Sequence, residues 1–449
     1  MIEIAIVGCG QRGKDVYGEL LKKDFSDKVK VKGIAEPKEK SRKYMKDYHN
    51  IDEEFVFLGW KELLEHEKFC DAIIISTNDD MHYEPFKKAL EKGYHIIVEK
   101  PMTNDRKELS KMEELAQEYS DKIISVGHVL RYSPFFNKIK DIIDSGELGK
   151  LVSIQHAENI GYYHMGHSFV RGNWRNSIET SPIILAKSCH DMDILLYLTG
   201  SSCTKVSSFG SLSYFNKENK PMDAGYRCLE CDIENECPYS AKKLYLNNIG
   251  NWPSTVITIN QTNEGIIKAL NDTDYGLCVH ESDNDVMDNQ VSILEFNNGV
   301  TATFSLIAFT HTISRTIKIM GSHGEIIGDM ETNKLIVYDF VSGEKKSVDI
   351  KLDKFSLQGH GGGDARLVKD FIELVEKKIK TIEVVKNKIK LEENKELEFK
   401  DLVDIVGGKD NSIESQTSIK TSIESHKMAF AVDEARIYGK VVNLENFIL

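Results

Sequence analysis

A lysine that ends an apolar run and a histidine that opens a later helical pattern are the two residues of this sequence best placed to do chemistry. The lysine lies in Glu99-Lys100-Pro101, directly after the apolar run at 94–98. A parallel strand is buried on both faces, and ligands gather beyond the carboxyl ends of such strands. Proline then stops the strand and restricts Lys100 to extended geometry, or follows it across a cis bond. The pattern is typical either of a lysine held at a site or of a surface lysine in a loop, and these residues alone do not favour one over the other.

The histidine is His190, in the run Cys189-His190-Asp191-Met192-Asp193. On a helix, Asp191, Met192 and Asp193 would present alternate faces to the solvent, so that Asp191 and Asp193 face outward. Ile194, Leu195 and Leu198 would form the buried stripe. His190 would then lie at the amino end of the helix rather than inside the core. That position suits a contact with a ligand better than a packing role.

A glycine-rich turn follows the first apolar run, at residues 4–7, and leads into a helical pattern. In the dinucleotide-binding fingerprint, the three glycines form a tight turn, let the backbone approach a pyrophosphate, and let the helix pack on the strand. The phosphate lies on the amino end of the helix. A glycine turn without a ligand is the alternative. The residues predicted to contact a dinucleotide here are Gly8, Gly10, Gln11, Arg12 and Gly13.

The second apolar run, at 29–35, ends in Glu36, at about the twenty-residue distance typical of the fingerprint. A carboxylate there accepts hydrogen bonds from the ribose hydroxyls and repels a 2′-phosphate. NAD is therefore the predicted cofactor and NADP the less favoured one, although Lys38 weakens the preference slightly.

Helical and apolar patterns alternate through the first third of the chain, which predicts a doubly wound parallel sheet. Thr77 and Asn78 close the strand at 72–76, at the edge where the cofactor is expected, and His82 follows. These three residues either contact the cofactor or cap the next helix. The predicted helices are 38–48, 60–66, 83–92 and 105–119, and the predicted strands also include 95–98 and 123–126.

After residue 151 the pattern changes to that of an antiparallel sheet. Asn297-Asn298-Gly299 and Ser342-Gly343-Glu344 are hairpin turns between apolar runs. Thr421-Ser422-Ile423-Glu424 is a capping box that predicts a helix reaching Tyr438. The Lys- and Glu-rich stretch 376–410 is interpreted as a solvated excursion. The strands predicted in this part are 291–296, 300–306, 316–320, 325–328, 334–340 and 346–352.

Several motifs of this chain, and the order in which they occur, resemble those of the Gfo/Idh/MocA family. The family is named for glucose-fructose oxidoreductase, inositol dehydrogenase and a rhizopine-catabolism protein. The resemblance covers nearly the whole chain. It implies an α/β protein with a Rossmann domain at 1–127 and an α+β domain with a large, mostly antiparallel open sheet at 128–449. The motifs that carry it, besides the glycine turn, are Ser76-Thr77-Asn78, Glu99-Lys100-Pro101, Gly127-His128, Arg131-Tyr132-Ser133-Pro134, Gly146-Glu147-Leu148-Gly149, the run 187–193, His360-Gly361-Gly362-Gly363-Asp364 and 425–430.

The resemblance also implies an activity: NAD(P)-dependent oxidation of a CH–OH group of a sugar, polyol or sugar derivative. Lys100 would stabilise the developing alkoxide and orient the nicotinamide ribose, and Glu99 would place Lys100, so both are predicted cofactor contacts. His190 would exchange a proton with the substrate hydroxyl. An imidazole, with an ordinary pKa of about 6.5, can do so in either direction. An NAD-dependent glycosidase that oxidises its sugar transiently, and a sensor that binds NAD without turnover, are the alternatives.

The substrate residues are predicted from two places. Arg171-Gly172-Asn173-Trp174-Arg175-Asn176 combines guanidinium, amide and indole groups, as sugar sites do, although a surface loop anchored by the tryptophan would look alike. Where inositol dehydrogenases carry an aspartate, this chain has Ala186 followed by Lys187, so the proton relay or the substrate charge could differ. The predicted substrate contacts are Arg131, Trp174, Arg175, Lys187 and His190.

Three cysteines within ten residues, Cys228, Cys231 and Cys237, have the close spacing of thiolate metal ligands. A structural zinc is one interpretation, with the fourth ligand coming from elsewhere in the fold. Free thiols and, less favoured, an iron-sulfur cluster are the others.

Composition narrows the class of protein. The chain has 449 residues, a net charge of -13, 41% hydrophobic residues and eight cysteines. The length predicts two domains, and the charge disfavours a nucleic-acid partner. No leader or membrane-spanning run is present, so we expect a cytoplasmic protein with reduced thiols and no membrane partner. The resemblance implies a homodimer or homotetramer that acts on a small carbohydrate.

Overall fold

The computed structural model describes residues 1–356, 359–391 and 414–449. The chain forms two compact units. The first consists of residues 1–133 and 353–423, and the second of residues 134–352 and 424–449. The first unit thus includes residues 128–133 and a late segment that the predicted boundary at 127/128 assigns to the second domain.

A six-stranded parallel sheet forms the centre of the first unit, as predicted. Its strand order is β3-β2-β1-β4-β5-β6, so the order reverses between β1 and β4. In a doubly wound sheet, ligands bind beyond the carboxyl ends of the strands at this reversal. The strands are β1 (Ile2–Val7), β2 (Val29–Ala35), β3 (Val56–Phe57), β4 (Ala72–Ile75), β5 (His95–Val98) and β6 (Ile124–Val126).

Helices connect these strands, close to the predicted bounds. The first connection begins as a π-helix at Gln11–Gly18 before it becomes α-helical. Asp105 caps the last connecting helix, because its carboxylate accepts from the backbone N–H groups of Lys107 and Glu108. The helices are α1 (Glu19–Lys23), α2 (Glu39–His49), α3 (Trp60–Glu65), α4 (Tyr83–Glu91) and α5 (Arg106–Glu118).

A long late helix, α13 (Gly363–Leu391), belongs to the first unit. Its apolar residues Val368, Phe371 and Ile372 join the core formed by β1 and β2. The stretch predicted to be a solvated excursion, 376–410, is helical up to Leu391, and its residues 376–384 are half-buried or exposed. Residues 392–410 lie outside the described part of the chain.

The second unit contains a nine-stranded sheet in the order β14-β13-β12-β11-β7-β10-β9-β8-β15. Neighbouring strands in this sheet pair in antiparallel fashion, except for β7 and β10, which pair in parallel. The mostly antiparallel sheet was predicted. The strands are β7 (Leu151–Asn159), β8 (Cys203–Ser211), β9 (Asn289–Phe296), β10 (Thr301–Ile307), β11 (Ser314–Gly321), β12 (Gly324–Asp329), β13 (Lys334–Asp339), β14 (Lys345–Val348) and β15 (Val442–Asn443).

One face of this sheet carries exposed apolar side chains. Phe209 of β8 pairs with Val291 of β9, and both are exposed, as is Ile293. Burial alternates along β9, so the polar residues Gln290 and Ser292 lie on the covered face instead. Joining of chain copies through the open face stays a prediction.

Of the remaining helices, the first precedes the strands of the second unit, and the others lie between strands in the chain, the last of them between β14 and β15. Of these, α10, α11 and α12 belong to the segment 212–288 between β8 and β9, and Tyr245, Ile266 and Leu270 form part of a separate small core there. They are α6 (Pro134–Asp144), α7 (Tyr162–His164), α8 (Ile183–Ala186), α9 (Cys189–Thr199), α10 (Ala241–Leu246), α11 (Ser254–Ile257), α12 (Asn263–Asp272) and α14 (Ile419–Tyr438), the last of which begins in the first unit.

The capping box predicted at 421–424 is wrong. Helix α14 already begins at Ile419, so Thr421 lies inside its first turn, although the helix ends at Tyr438 as predicted. The Ser418 and Thr421 hydroxyls hydrogen-bond each other.

Across the residues that the structure describes, we find no helix with both the length and the apolar character needed to cross a lipid bilayer.

Candidate active site

The glycine turn after β1 is packed tightly at two glycines and open at the third. Gly8 has a φ of +89°, and a Cβ there would lie 2.6 Å from the Ser76 carbonyl oxygen. A Cβ on Gly13 would lie 1.9 Å from the Gly8 carbonyl oxygen, whereas one on Gly10 would meet nothing within 4 Å. The turn therefore lets the helix pack closely on the strand and leaves room beside Gly10.

The surroundings of the turn fit a dinucleotide. Among the described residues no side chain caps the amino end of the π-helix that follows Gly10, which is where a phosphate would accept from the backbone. Glu36 is buried beside the turn, and its carboxylate accepts from the backbone N–H groups of Cys9, at 2.7 Å, and Lys38, at 2.8 Å. These two bonds fix the carboxylate that the sequence predicts for the ribose hydroxyls.

Strand β5 is followed by Glu99 and the half-buried Lys100, and the peptide bond between Lys100 and Pro101 is cis. The Glu99 carboxylate is buried and makes several hydrogen bonds. It accepts from the backbone N–H of Lys100 at 3.1 Å, from the Arg12 guanidinium at 2.7 Å and from the Tyr17 hydroxyl at 2.6 Å. Glu99 therefore holds the backbone of Lys100 in place, which agrees with its predicted role.

Arg12 lies between two buried carboxylates. Its guanidinium binds Glu99 and also Asp364, at 2.7 Å, and His360 lies 2.9 Å from the other oxygen of Asp364. Arg12 is a predicted dinucleotide contact, and the structure shows its guanidinium engaged with these acids. Sequence reasoning missed Tyr17 and did not name Asp364 as a site residue; a tyrosine on the buried face of a helix, four residues after Gly13, is the signal that was available.

These partners determine the protonation of the cluster. Burial alone would raise the pKa of Glu99, but the Arg12 cation and the hydrogen bond from Tyr17 lower it below its usual value. The pKa of Asp364 is likewise held well below its usual range: burial opposes this, while Arg12 and His360 outweigh burial. Both acids are therefore carboxylates over the physiological pH range.

The residues after β4 support the Lys100 turn from its other side. His82 is buried, and its ring nitrogens lie 2.8 Å from the Pro101 carbonyl oxygen and 3.1 Å from that of Thr77. The Thr77 hydroxyl donates to the carbonyl of Met81. Asn78 precedes a short 3-10 helix and makes no side-chain cap to it. His82 thus ties the end of β4 to the residue after Lys100.

In the second unit, His190 is the second residue of α9 and is buried. The prediction that Asp191 and Asp193 face outward is wrong, because both are buried. Asp191 is compensated by His156, whose Nε2 lies 2.8 Å from it, and by Arg315, which donates to it at 2.8 Å. The position at the helix amino end agrees with the prediction, but the helix is enclosed on more sides than its pattern indicated.

A second buried carboxylate, Glu158, extends this cluster. It pairs with Arg315 at 2.7 Å and with Lys187 at 3.2 Å. Burial would raise the pKa of Asp191, but Arg315 and His156 hold it well below the usual range. The alternating burial of β7 places His156 and Glu158 on its covered face, so two polar residues at core positions of a strand were the signal that sequence reasoning missed.

Lys187 pairs with the carboxylate of Glu158 from β7, whereas the position before it, where the resemblance implies an aspartate, is Ala186. The two other predicted substrate residues in the second unit, Trp174 and Arg175, contact residues of the same unit. Arg175 pairs with Asp283 and Asp274, and the Trp174 ring lies 6.4 Å from that of Phe169. The remaining predicted contact, Arg131, is buried in the first unit.

The predicted zinc site at Cys228, Cys231 and Cys237 is not borne out. Within the described ranges, no group of three or more His, Cys, Asp or Glu residues is arranged to hold a metal ion. The thiols have other partners: Cys228 lies 3.5 Å from the Arg171 guanidinium, and the Cys231 sulfur accepts from the Gly225 N–H. Burial also raises the pKa of Cys237, which favours the protonated thiol.

Two family models match the chain. One, described as the oxidoreductase family, NAD-binding Rossmann fold (GFO_IDH_MocA), matches residues 2–128. The other, described as the oxidoreductase family, C-terminal alpha/beta domain, matches residues 140–444. Together they cover both parts of the fold and agree with the resemblance drawn from the motifs.

Individual proteins are similar at lower identity. YteT of Bacillus subtilis (strain 168), named as an oxidoreductase, is 24% identical over 391 residues, or 82% of this chain and 88% of YteT. The scyllo-inositol 2-dehydrogenase (NAD(+)) of the same organism is 34% identical over 177 residues, 38% of this chain and 48% of that enzyme. A levoglucosan dehydrogenase in complex with NADH and L-sorbose has a TM-score of 0.64 at 15% identity, covering 99% of this chain and 98% of its own. That likeness shows a shared fold.

The glycine turn gives a matched pair of variants. Gly13→Ala should lower the free energy of unfolding by about 2 kcal/mol or more, because its Cβ would collide with the Gly8 carbonyl. Gly10→Ala should change it by less than about 0.5 kcal/mol but should weaken NAD binding, since its methyl group would enter the open space. Urea unfolding and calorimetric titration with NAD measure the two effects. Equal losses of stability in both variants would contradict this account of the turn.

The Arg12 cluster gives a prediction about pH. A carboxylate with a depressed folded pKa stabilises the fold above its unfolded pKa, about 4, and this contribution is lost as the pH falls towards the folded value. Asp364→Asn should therefore lower the urea stability at pH 7 by about 3 kcal/mol, because Arg12 keeps only one acid, and should flatten the decline of stability below about pH 4.

Asp353→Asn is the matched control for Asp364→Asn, because the Asp353 carboxylate pairs with Arg366 at an exposed position of the same late segment. Its loss should stay below about 1 kcal/mol. Comparable losses in the two variants would show that the cluster does not stabilise the unit.

Proposed function

Because the chain belongs to the Gfo/Idh/MocA oxidoreductase family, we propose that it is a dehydrogenase that oxidises a CH–OH group of a sugar or polyol with NAD. The observation that carries the proposal is the anchoring of Lys100 by Glu99. That carboxylate is itself bound by Arg12 and Tyr17 of the helix that begins at the glycine turn. One hydrogen-bond cluster thus links the predicted catalytic lysine to the predicted cofactor turn.

Lys100 is proposed to stabilise the oxygen of the reacting alcohol as its proton leaves. An ammonium group fixed before the reaction stabilises a developing alkoxide without having to reorganise. The backbone on both sides of Lys100 is held, by Glu99 before it and by the contact of His82 with Pro101 after it. This restraint is what a positioned catalytic lysine requires.

His190 is proposed to take the hydroxyl proton. Its neighbour Asp191 is fixed by His156 of β7 and Arg315 of β11, which orients the amino end of α9. A base must lie within hydrogen-bond reach of the proton that it removes, and a rigid helix end provides such positioning. Asp191 and Arg315 act through the helix and are positioning residues.

NAD, when bound, supplies the hydride acceptor for this chemistry. The chain's own contributions are the glycine turn, the helix amino end for the pyrophosphate and the Glu36 carboxylate for the ribose hydroxyls. Two similar proteins support the choice of cofactor and substrate class: one is named as an NAD(+)-dependent dehydrogenase of scyllo-inositol, and the other was crystallised with NADH and L-sorbose.

Replacing Lys100 with methionine tests the proposed role of the charge. Lys100→Met keeps the length of the side chain but removes the ammonium, so kcat should fall on the order of a hundredfold or more while the Kd for NAD stays nearly the same. Rates are followed by NADH formation over a panel of sugars and polyols, and NAD affinity by calorimetry. Lys107→Met, an exposed lysine on α5, is the control and should retain full activity.

The same preparations separate the alternatives. A Lys100→Met enzyme with normal turnover would refute the role of the lysine. Glycoside cleavage by the wild type without added NAD and without NADH formation would indicate the glycosidase chemistry instead. NAD binding with no reaction on any sugar would indicate a sensor.

The preference for NAD is proposed to depend on the charge of Glu36. Glu36→Gln keeps the size of the side chain and one oxygen that can accept from either the Cys9 or the Lys38 N–H group, which donate to different carboxylate oxygens in Glu36, and it removes the repulsion of a 2′-phosphate. The ratio of kcat/KM for NAD to that for NADP should fall about tenfold or more, which corresponds to about 1.4 kcal/mol. Glu39→Gln, at a nearby exposed position, is the control and should leave the ratio unchanged. An unaltered ratio in Glu36→Gln would exclude the carboxylate as the determinant.

A further inference from the structure

We propose that a cavity in the second unit, walled by the segment between β8 and β9, is a subsite that binds a second saccharide ring of the substrate. The substrate would then be a disaccharide or a glycoside of a sugar rather than a free cyclitol or monosaccharide. The inference rests on the proposed function, because it extends the substrate beyond the ring that is oxidised.

The cavity has the size and shape of a small-molecule site. Its volume is about 600 Å³, within the roughly 300–1,000 Å³ typical of ligand pockets. One wall comes from the residues after β7, including Tyr162 and Tyr163, and the other from the stretch 236–253 of the inserted segment. Two adjacent antiparallel strands need only a short turn between them, so residues 212–288 are extra chain that builds this wall.

Four aromatic residues contribute to the lining. Tyr162 lies 6.1 Å from Tyr239 between ring centroids, and Tyr163 lies 6.3 Å from Trp252, so four rings come from the two walls of one cavity. Rings of this kind offer a flat apolar surface with a polar edge. A pyranose presents the complementary surface, since its C–H bonds form an apolar face and its hydroxyls surround the rim.

The polar groups of the cavity suit hydroxyls better than a strongly charged ligand. Glu236 and Lys243 bring opposite charges, and Asn247 adds an amide. Arg171, although it lines the cavity, donates to the backbone carbonyls of Leu277 and Tyr239. Its guanidinium therefore supports the wall, and the mixture of donors and acceptors that remains is the one that recognises a neutral sugar.

The cavity lies close to the segment that carries the proposed base. The Trp252 ring lies 5.0 Å from that of His164 and 5.3 Å from that of His167. Tyr162 and Tyr163 of the cavity follow β7, whose Glu158 pairs with Lys187 at 3.2 Å. Lys187 is three residues before His190 in the chain. The lining of the cavity is thus tied, through β7, to the segment that carries His190.

The wall is held together by contacts among its own residues. Besides the bonds of Arg171, the His167 ring lies 2.9 Å from the Tyr245 hydroxyl and stacks on Tyr275. A preformed site loses less conformational freedom on binding and so gains affinity. This gives the inserted segment, with its small separate core, a function in selecting the substrate.

The test compares disaccharides with the monosaccharides that compose them. Initial rates with NAD are measured for glucose, maltose and cellobiose and for galactose and lactose, and selectivity is the ratio of kcat/KM for a disaccharide to that for its monosaccharide. At least one disaccharide should be preferred in the wild type. Trp252→Ala should reduce that selectivity tenfold or more, mainly through KM, because it removes a stacking face. Trp60→Ala, on α3 of the first unit, is the matched control.

Asn247→Ala provides a second variant in case Trp252→Ala fails to fold, and it should lower the same ratio. A wild type that prefers none of the disaccharides, or a preference that survives both changes, would overturn the subsite. If no sugar reduces NAD at all, the proposed function fails on its own. Calorimetry of disaccharide binding still decides the subsite in that event: binding lost in Trp252→Ala supports it, and no binding to the wild type overturns it.

Discussion

The buried charge of Glu99 is the constraint on which the organisation of the first unit depends. A carboxylate in a protein interior is costly unless it is paired and hydrogen-bonded. Here Arg12 and Tyr17 come from the helix after β1, and Asp364 binds the same arginine from the start of α13. The glycine turn, the end of β5 and the late helix are therefore fixed relative to one another by one set of charges. Hydrophobic packing alone, which has no direction, would not set the backbone of Lys100 with that accuracy.

In the second unit, buried carboxylates are likewise paired with cations around the amino end of α9. Asp191 and Glu158 are both buried, and Arg315 pairs with both. Removing one member of such a set leaves another charge uncompensated, so its members depend on one another. Glu158 of β7 also supplies a carboxylate to Lys187.

The sequence predicted the parts of this arrangement that are encoded locally. Periodicity and the turn residues predict the parallel sheet, its helices and strand β5, which Glu99 follows. The predicted bounds agree with those in the structure to within a residue or two. The pairing of Arg12 with Asp364 could not be predicted, because the two residues are far apart in the chain and a charged pair leaves no periodic pattern. The strands β7 and β8 were missed for a related reason: β7 carries His156 and Glu158 on its covered face, so apolar and polar residues do not alternate as a half-buried strand should. The metal site predicted at the cysteines was wrong because spacing in a sequence does not show which partners each thiol meets in the fold.

The surroundings of Lys100 differ from those of the cavity beside Trp252. This difference affects how freely the substrate specificity can change. Lys100 is held by buried charges whose replacement would disturb the core, so the part of the first unit around it has little freedom to change. The cavity beside Trp252 is built largely from the segment 212–288, which has its own small core and leaves the strands β8 and β9 paired whatever its length. Its lining can change without affecting the sheet, as loops on a rigid scaffold do. The choice of substrate would then be set by a part of the chain that is separate from the residues that carry out the reaction.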